Sequence, residues 1–321
     1  MALIIDGFTH ILPKVFAEEF NRVHPTDELR ELAVLTHLSD IENRVRVMDK
    51  YKIDKQVLTL ARPTIWMDIP PNITLNMTRA ANDAVADITR QFPDRFIGVG
   101  TLPLLSEEFM PEFDRCIYEL GMAGIQIFSN IGGKYLDSLE FRPFFEKANG
   151  TRTPIWIHPQ LQDGWSQDFA LDKIFGWPLD TSLALGRLVF SGIMENCPDL
   201  RIITHHLGGM IPYYCGRITS FYDTPKNFPR AGFISLPKDP LVYFKRFYGD
   251  TVLNGAVDAF VCGYKFFGSE HTVFATDYPY GPEKGENYIR GTFHQLDAVD
   301  LSQIERSRIM GGNIQTLLER R

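Results

Sequence analysis

Residues 154–159 read Pro154-Ile155-Trp156-Ile157-His158-Pro159. Three consecutive apolar side chains lie between a proline and a histidine. A continuous run of this kind suits a strand buried on both faces, as in a parallel sheet, rather than one that alternates between core and water. The same signature recurs along the chain. It appears at Ala2–Ile5, Lys55–Leu60, Phe96–Gly100, Ala123–Phe128, Pro154–His158, Arg201–Thr204, Phe247–Asp250 and Thr272–Thr276. Helical periodicity fills the intervals: Ser39–Tyr51, Asn72–Gln91, Glu107–Leu120, Phe141–Asn149, Ser182–Asn196, Leu207–Tyr222, Asp258–Phe267 and Ser302–Arg320. The first of these opens Ser39-Asp40-Ile41-Glu42, the pattern of a capping box. Eight β runs alternating with helices predict an α/β fold, a (β/α)8 TIM-type barrel. The alternative, an open doubly wound sheet, would carry a Gly-rich nucleotide loop after its first strand, and none is present. With no internal repeat and no low-complexity linker, the chain reads as a single barrel domain over residues 1–321. Asp223–Pro240, rich in proline and polar residues, reads as a long inserted βα loop, a lid or a subunit contact.

Composition narrows the function. A chain of 321 residues with 44% hydrophobic residues buries a core that needs no disulfide support. The formal charge of −7 and the lack of any Lys/Arg-rich run argue against a nucleic-acid partner. Cys116, Cys197, Cys215 and Cys262 form no C-x-x-C pair, which predicts reduced thiols in a cytoplasmic protein. No signal-peptide pattern is evident and no apolar run reaches membrane-spanning length, so no membrane partner is expected.

Four residues share a position. His10 follows the first β run, His158 closes the fifth, the pair His205-His206 ends the sixth, and Asp277 ends the eighth. In a barrel the C-terminal ends of the strands form one catalytic face, so these residues converge. Two imidazoles and a carboxylate are a common shell for a catalytic divalent metal, Zn²⁺ or Mn²⁺, and a further histidine beside the bound water is placed for proton transfer. Such a set serves hydrolysis, hydration or metal-assisted decarboxylation. Phe8, Trp156, Phe128, Tyr278 and Trp66 fall near strand ends or loops and read as aromatic pocket walls for a planar carboxylate-bearing small molecule. His24, His37, His271 and His294 lie outside the pattern and read as surface or packing residues.

Taken together, these pieces resemble the amidohydrolase-2 family, in the branch of aminocarboxymuconate-semialdehyde decarboxylase and the aromatic-acid decarboxylases. The resemblance rests on Ile4-Ile5-Asp6 through His10-Ile11-Leu12-Pro13, on Arg44 to Asp49, and on Pro93-Asp94-Arg95-Phe96 through Leu104. It continues through Gly121 to Ile127, His158-Pro159, and His206-Leu207-Gly208-Gly209 with Pro212 and Gly216-Arg217-Ile218. It ends on Thr276-Asp277-Tyr278-Pro279 and Gly312-Asn313. The resemblance implies His10, His158 and Asp277 as metal ligands. It implies His206 as the catalytic proton-transfer group with Asp277, leaving His205 turned into the barrel wall. Arg217 matches an arginine that binds substrate carboxylate from a neighbouring subunit, which implies a homodimer or larger assembly. Arg44 occupies the family's R-x-x-x-M-D position, either a substrate-binding arginine or half of a structural ion pair.

One position departs from the family. Where His-x-His or Glu-x-His is usual, this chain has Phe8 before His10. A phenyl ring cannot coordinate a metal. The remaining shell is His10, His158 and Asp277, with the vacancy open to water, a substrate oxygen or Asp6. The expected activity is metal-assisted, non-oxidative decarboxylation of an aromatic or unsaturated carboxylic acid. The rivals are hydrolysis of a lactone, ester or amide on the same residues, and a non-catalytic binding protein that has lost its metal.

Overall fold

The computed structural model describes residues 3–25, 32, 35–61, 69–103, 107–161, 164–223 and 234–319. Eight strands form one sheet in chain order. They are β1 (Ile5–Ile11), β2 (Lys55–Leu60), β3 (Phe96–Thr101), β4 (Gly124–Phe128), β5 (Ile155–His158), β6 (Ile202–Thr204), β7 (Tyr248–Asp250) and β8 (Thr272–Val273). Every neighbouring pair is parallel. No regular ladder joins β8 to β1. The seam is closed instead by backbone bonds beyond the short β8: Gly7 N donates to Phe274 O at 2.8 Å, His10 N to Tyr278 O at 2.8 Å, and Asp277 N to Phe8 O at 3.2 Å. The barrel is therefore nearly closed, as the alternating pattern predicts.

The apolar runs explain the two core layers. One face of each strand packs outward against the helices, where Ile125, Ile127, Ile155 and Ile157 meet Phe113, Phe144, Leu185 and Leu188. The other face fills the barrel interior with Phe8, Val57, Val99, Trp156, Ile203, Val252 and Val273. Alternation along β5 puts Trp156 and His158 on the same side, the indole below and the imidazole at the rim.

Several boundaries differ from the sequence reading. The first strand begins at Ile5 rather than ending there, because its polar residues are satisfied inside the barrel. Thr9 Oγ1 donates to Val57 O at 2.7 Å, and Asp6 accepts from Thr276. Three helices among the described residues carry no expectation from the sequence: α1 (Lys14–Val23) after β1, a short one at Pro240–Phe244, and one at Glu286–Asp297 after β8. The predicted capping box at Ser39 is a simple cap by Asp40, whose side chain accepts from Asn43 N. The predicted helix over Leu207–Tyr222 forms only at Cys215–Tyr222, because Leu207–Tyr214 makes a tight turn. Of the Asp223–Pro240 stretch, residues 224–233 lie outside the described residues. Its flank is pinned where the Tyr222 hydroxyl accepts from Leu236 N at 2.7 Å and donates to Ile234 O at 3.1 Å.

Candidate active site

His10 on β1, His158 at the end of β5, His205 just after β6 and Asp277 beyond β8 meet at the C-terminal mouth of the barrel. One ring nitrogen from each of His10, His158 and His205 lies within 4.8 Å of the others, and all three residues are buried. Asp277 Oδ1 sits 2.9 Å from His10 Nε2 and 3.4 Å from His205 Nε2. Each imidazole is held at its other nitrogen. His10 Nδ1 is 3.1 Å from Thr59 Oγ1, whose own proton goes to Thr9 O at 2.8 Å. His158 Nδ1 is 2.7 Å from Pro159 O. His205 Nδ1 is 2.5 Å from Asp250 Oδ2, and Asp250 Oδ1 accepts from Leu207 N and Val252 N at 3.1 Å each. An acceptor at Nδ1 selects the tautomer that leaves Nε2 as the ligand nitrogen, and this arrangement typifies metal-binding histidines.

The charges follow from this packing. Burial alone would push the Asp277 carboxyl up. The close approach of His10 and of His205, and the His205 charge, hold it well below the usual range. Burial disfavours a charged His205, yet Asp250 and Asp277 push its pKa up to about 10. Burial lowers that of His10, and burial with the nearby His205 charge depresses that of His206. Asp277 is then an anion and His10 a neutral base. The His10 Nε2 lone pair faces a carboxylate oxygen at 2.9 Å without a hydrogen bond of acceptable geometry. A divalent cation between them resolves that opposition. Three imidazoles and a carboxylate fit Zn²⁺ or Mn²⁺.

The residues singled out in the sequence divide into two groups. His10, His158, His206 and Asp277 come together. His205 does not turn into the barrel wall. The sixth strand ends at Thr204, so strand alternation no longer applies, and His205 closes over Phe8 into the cluster. His206 is next to it, with ring centroids 4.1 Å apart; it is partly exposed, with φ of 53° and no partner at Nδ1. Gly208 and Gly209 follow for a steric reason: at Gly209 a Cβ would lie 2.3 Å from Pro178 O, and φ is +62°. Phe8 is wholly buried, its ring centroid 4.4 Å from His205, 5.4 Å from His10 and 6.2 Å from His158. Phe128 sets its ring edge against His158. Asp6 is committed elsewhere, to Thr276 and Gln56, and burial raises its pKa to about 7.

Three residues expected to touch substrate lie behind the site. Arg44 is wholly buried, its guanidinium donating to His10 O, to Gln56 Oε1 at 3.1 Å and to Thr9 Oγ1 at 3.3 Å. It packs over the equally buried Tyr278 ring at 4.8 Å. Trp156 spans the barrel interior, its indole N–H donating to Gly7 O at 2.8 Å. These are supports rather than pocket walls. Arg217 is exposed on the Cys215–Tyr222 helix, over the Phe221 ring. Trp66 lies outside the described residues. Sequence reasoning missed Thr59, Asp250 and Tyr288. Asp250 was legible as the carboxylate that closes the seventh β run. Tyr288 was not, because it stands on an unforeseen helix; burial and the Asp277 charge push its hydroxyl pKa up.

A parallel barrel with a histidine–carboxylate cluster at its mouth defines a class of metal-dependent barrel enzymes. Within that class the chain belongs to the amidohydrolase family, whose Amidohydro_2 model matches residues 6–320. It is 29% identical over 277 residues to 2-amino-3-carboxymuconate-6-semialdehyde decarboxylase of Dictyostelium discoideum, covering 85% of this chain and 75% of the relative. It is 29% identical over 315 residues to gamma-resorcylate decarboxylase of Rhodococcus jostii, covering 91% of this chain and 90% of that one. Its fold superposes on 5-carboxyvanillate decarboxylase of Novosphingobium aromaticivorans with a TM-score of 0.84 and 26% identity, over 99% of this chain and 96% of the other. That structure was solved with manganese and 4-hydroxy-3-methoxy-5-nitrobenzoic acid.

Proposed function

We propose that this chain is a metal-assisted, non-oxidative decarboxylase of an aromatic or unsaturated carboxylic acid. The observation that carries the reading is the convergence of His10, His158, His205 and Asp277 at the barrel mouth in a chain whose relatives are decarboxylases. His10, His158 and Asp277 are ligands for Zn²⁺ or Mn²⁺. The bound ion supplies positive charge that orients and polarises substrate oxygens. His206, partly exposed beside the cluster and neutral when unliganded, relays a proton to the carbon that bears the carboxylate. The bond to the carboxylate then breaks, its electron pair stays with that carbon, and CO2 leaves. Phe8 and Phe128 keep the cluster dry on its inner side, which strengthens every charge interaction within it.

Arg217 serves as a carboxylate anchor only if its helix meets another copy of the chain, because it is exposed on its own barrel. A homodimer supports that role. Phe169 and Tyr213 are 88% and 76% exposed, and Tyr213 lies just ahead of the helix that carries Arg217. Four unbridged cysteines fit a reducing compartment, the cytoplasm. Among the described residues no helix is long and apolar enough to cross a membrane.

The test is CO2 release from hydroxybenzoates and muconate-type acids by the metal-loaded protein. Ring or ester opening without CO2 would make it a hydrolase. His206→Asn, chosen because asparagine tolerates positive φ, is expected to lower kcat by roughly 10²–10⁴-fold with little change in melting temperature. Unchanged turnover removes His206 from the mechanism.

A further inference from the structure

The ligand missing at position 8 has a replacement close by. Phe8 fills the place between the first and sixth strands, and the ring it presses against most closely is that of His205. We propose that His205 is a metal ligand of this chain, taking over from β6 the coordination that β1 gives up at Phe8. This rests on the metal-assisted reading of the site.

Three observations carry it. First, His205 has one nitrogen in the same 4.8 Å cluster as His10 and His158, and it is buried with them. Second, its Nε2 faces the same Asp277 oxygen as His10 Nε2, at 3.4 Å against 2.9 Å, so both Nε2 atoms converge on one point beside the carboxylate. Third, its Nδ1 is anchored by a carboxylate, Asp250, which is itself fixed by the backbone N–H groups of Leu207 and Val252. Carboxylate–imidazole–metal is a recurrent second layer around metal ligands. His206, by contrast, is partly exposed with no Nδ1 partner, so proton transfer does not require His205. The two adjacent histidines divide the work, one closing the metal shell and one facing the substrate. Phe8 then has a packing role: it wedges the displaced imidazole into place.

The experiment uses chelator-treated full-length protein and Mn²⁺ alone. Affinity is read by equilibrium dialysis, and bound imidazoles are counted by pulsed electron paramagnetic resonance. Wild type is expected to bind one ion through three imidazoles. His205→Gln, which keeps a donor for Asp250, is expected to weaken binding by at least about 10–100-fold and to leave two imidazoles. Phe8→His in that background is expected to restore the third imidazole and most of the affinity, which also proves the barrel intact. Asp250→Asn is expected to weaken binding by about 10–100-fold with the count unchanged. Equal affinity and an unchanged count in His205→Gln overturn the proposal, as does a folded wild type that binds no ion. Because binding is read without substrate, three-imidazole binding by a protein that releases no CO2 would sink the decarboxylase reading and leave this one standing.

Discussion

Arg44 shows how a single side chain supports a site it never enters. Its guanidinium is buried beneath β1 and donates to the carbonyl of His10, so it fixes the backbone of a residue of the cluster. Gln56 links it to Asp6, and Asp6 in turn holds Thr276, the neighbour of Asp277. One polar network therefore sets both sides of the cluster. Removing a partner from such a buried network typically costs about 3–5 kcal/mol, because the groups left behind lose their hydrogen bonds. Arg44→Met is expected to show that loss in urea unfolding of the metal-free protein. A loss below about 1 kcal/mol would mean that the network is dispensable. The sequence alone left Arg44 equally open to a substrate role, since an arginine's burial is invisible in its neighbours along the chain. The convergence of His10, His158 and Asp277 was legible because strand ends in a barrel share one face. The orientation of His205 was not, because it depends on where the sixth strand stops.

At the scale of elements, seven of the eight predicted β runs matched observed strands and the first was displaced towards the N-terminus, while helix boundaries drifted. Apolar runs such as Ile155–Ile157 are read directly from composition. A helix end depends on one local contact, as at Asp40, which caps in place of Ser39. The capping box that does form is at Ser302 and Glu305. Ser302 N and Oγ donate to Glu305 Oε2 at 2.9 and 2.6 Å, and the Tyr264 hydroxyl donates to Oε1 at 2.6 Å. These bonds, Ser302 first, lower the Glu305 pKa from 4.5 to about 2. A carboxyl lowered by folding adds stability above its unfolded pKa, and that stability is lost as pH falls towards the folded one. Melting temperature should therefore drop between pH 4.5 and about 2 more steeply in wild type than in Glu305→Gln. Parallel curves would show that the cap is formed without the charge.

For the whole molecule, the exposed aromatic residues matter most. Phe169, Phe175 and Tyr213 stand out on the surface, and Tyr213 lies just ahead of the Cys215–Tyr222 helix that carries Arg217. Scattered exposed apolar residues need no explanation, but large exposed aromatics such as Tyr213, beside the arginine proposed to act across a contact, are what a surface between two copies would use. Tyr213→Glu with Phe175→Glu is expected to shift sedimentation towards the monomer. It should also raise KM for substrate if Arg217 acts across the contact. A monomeric wild type would leave Arg217 without a ligand to hold.

The seam between β8 and β1 has a further consequence, in time rather than space. His10 and Asp277 stand on opposite sides of it and come from opposite ends of the chain. On the ribosome, His10 emerges before every other member of the cluster and waits for Asp277. A nascent chain has no complete cluster until nearly every strand has been made, so ion capture reports a barrel that has already shut. Metal uptake measured during synthesis would therefore time the final step of folding.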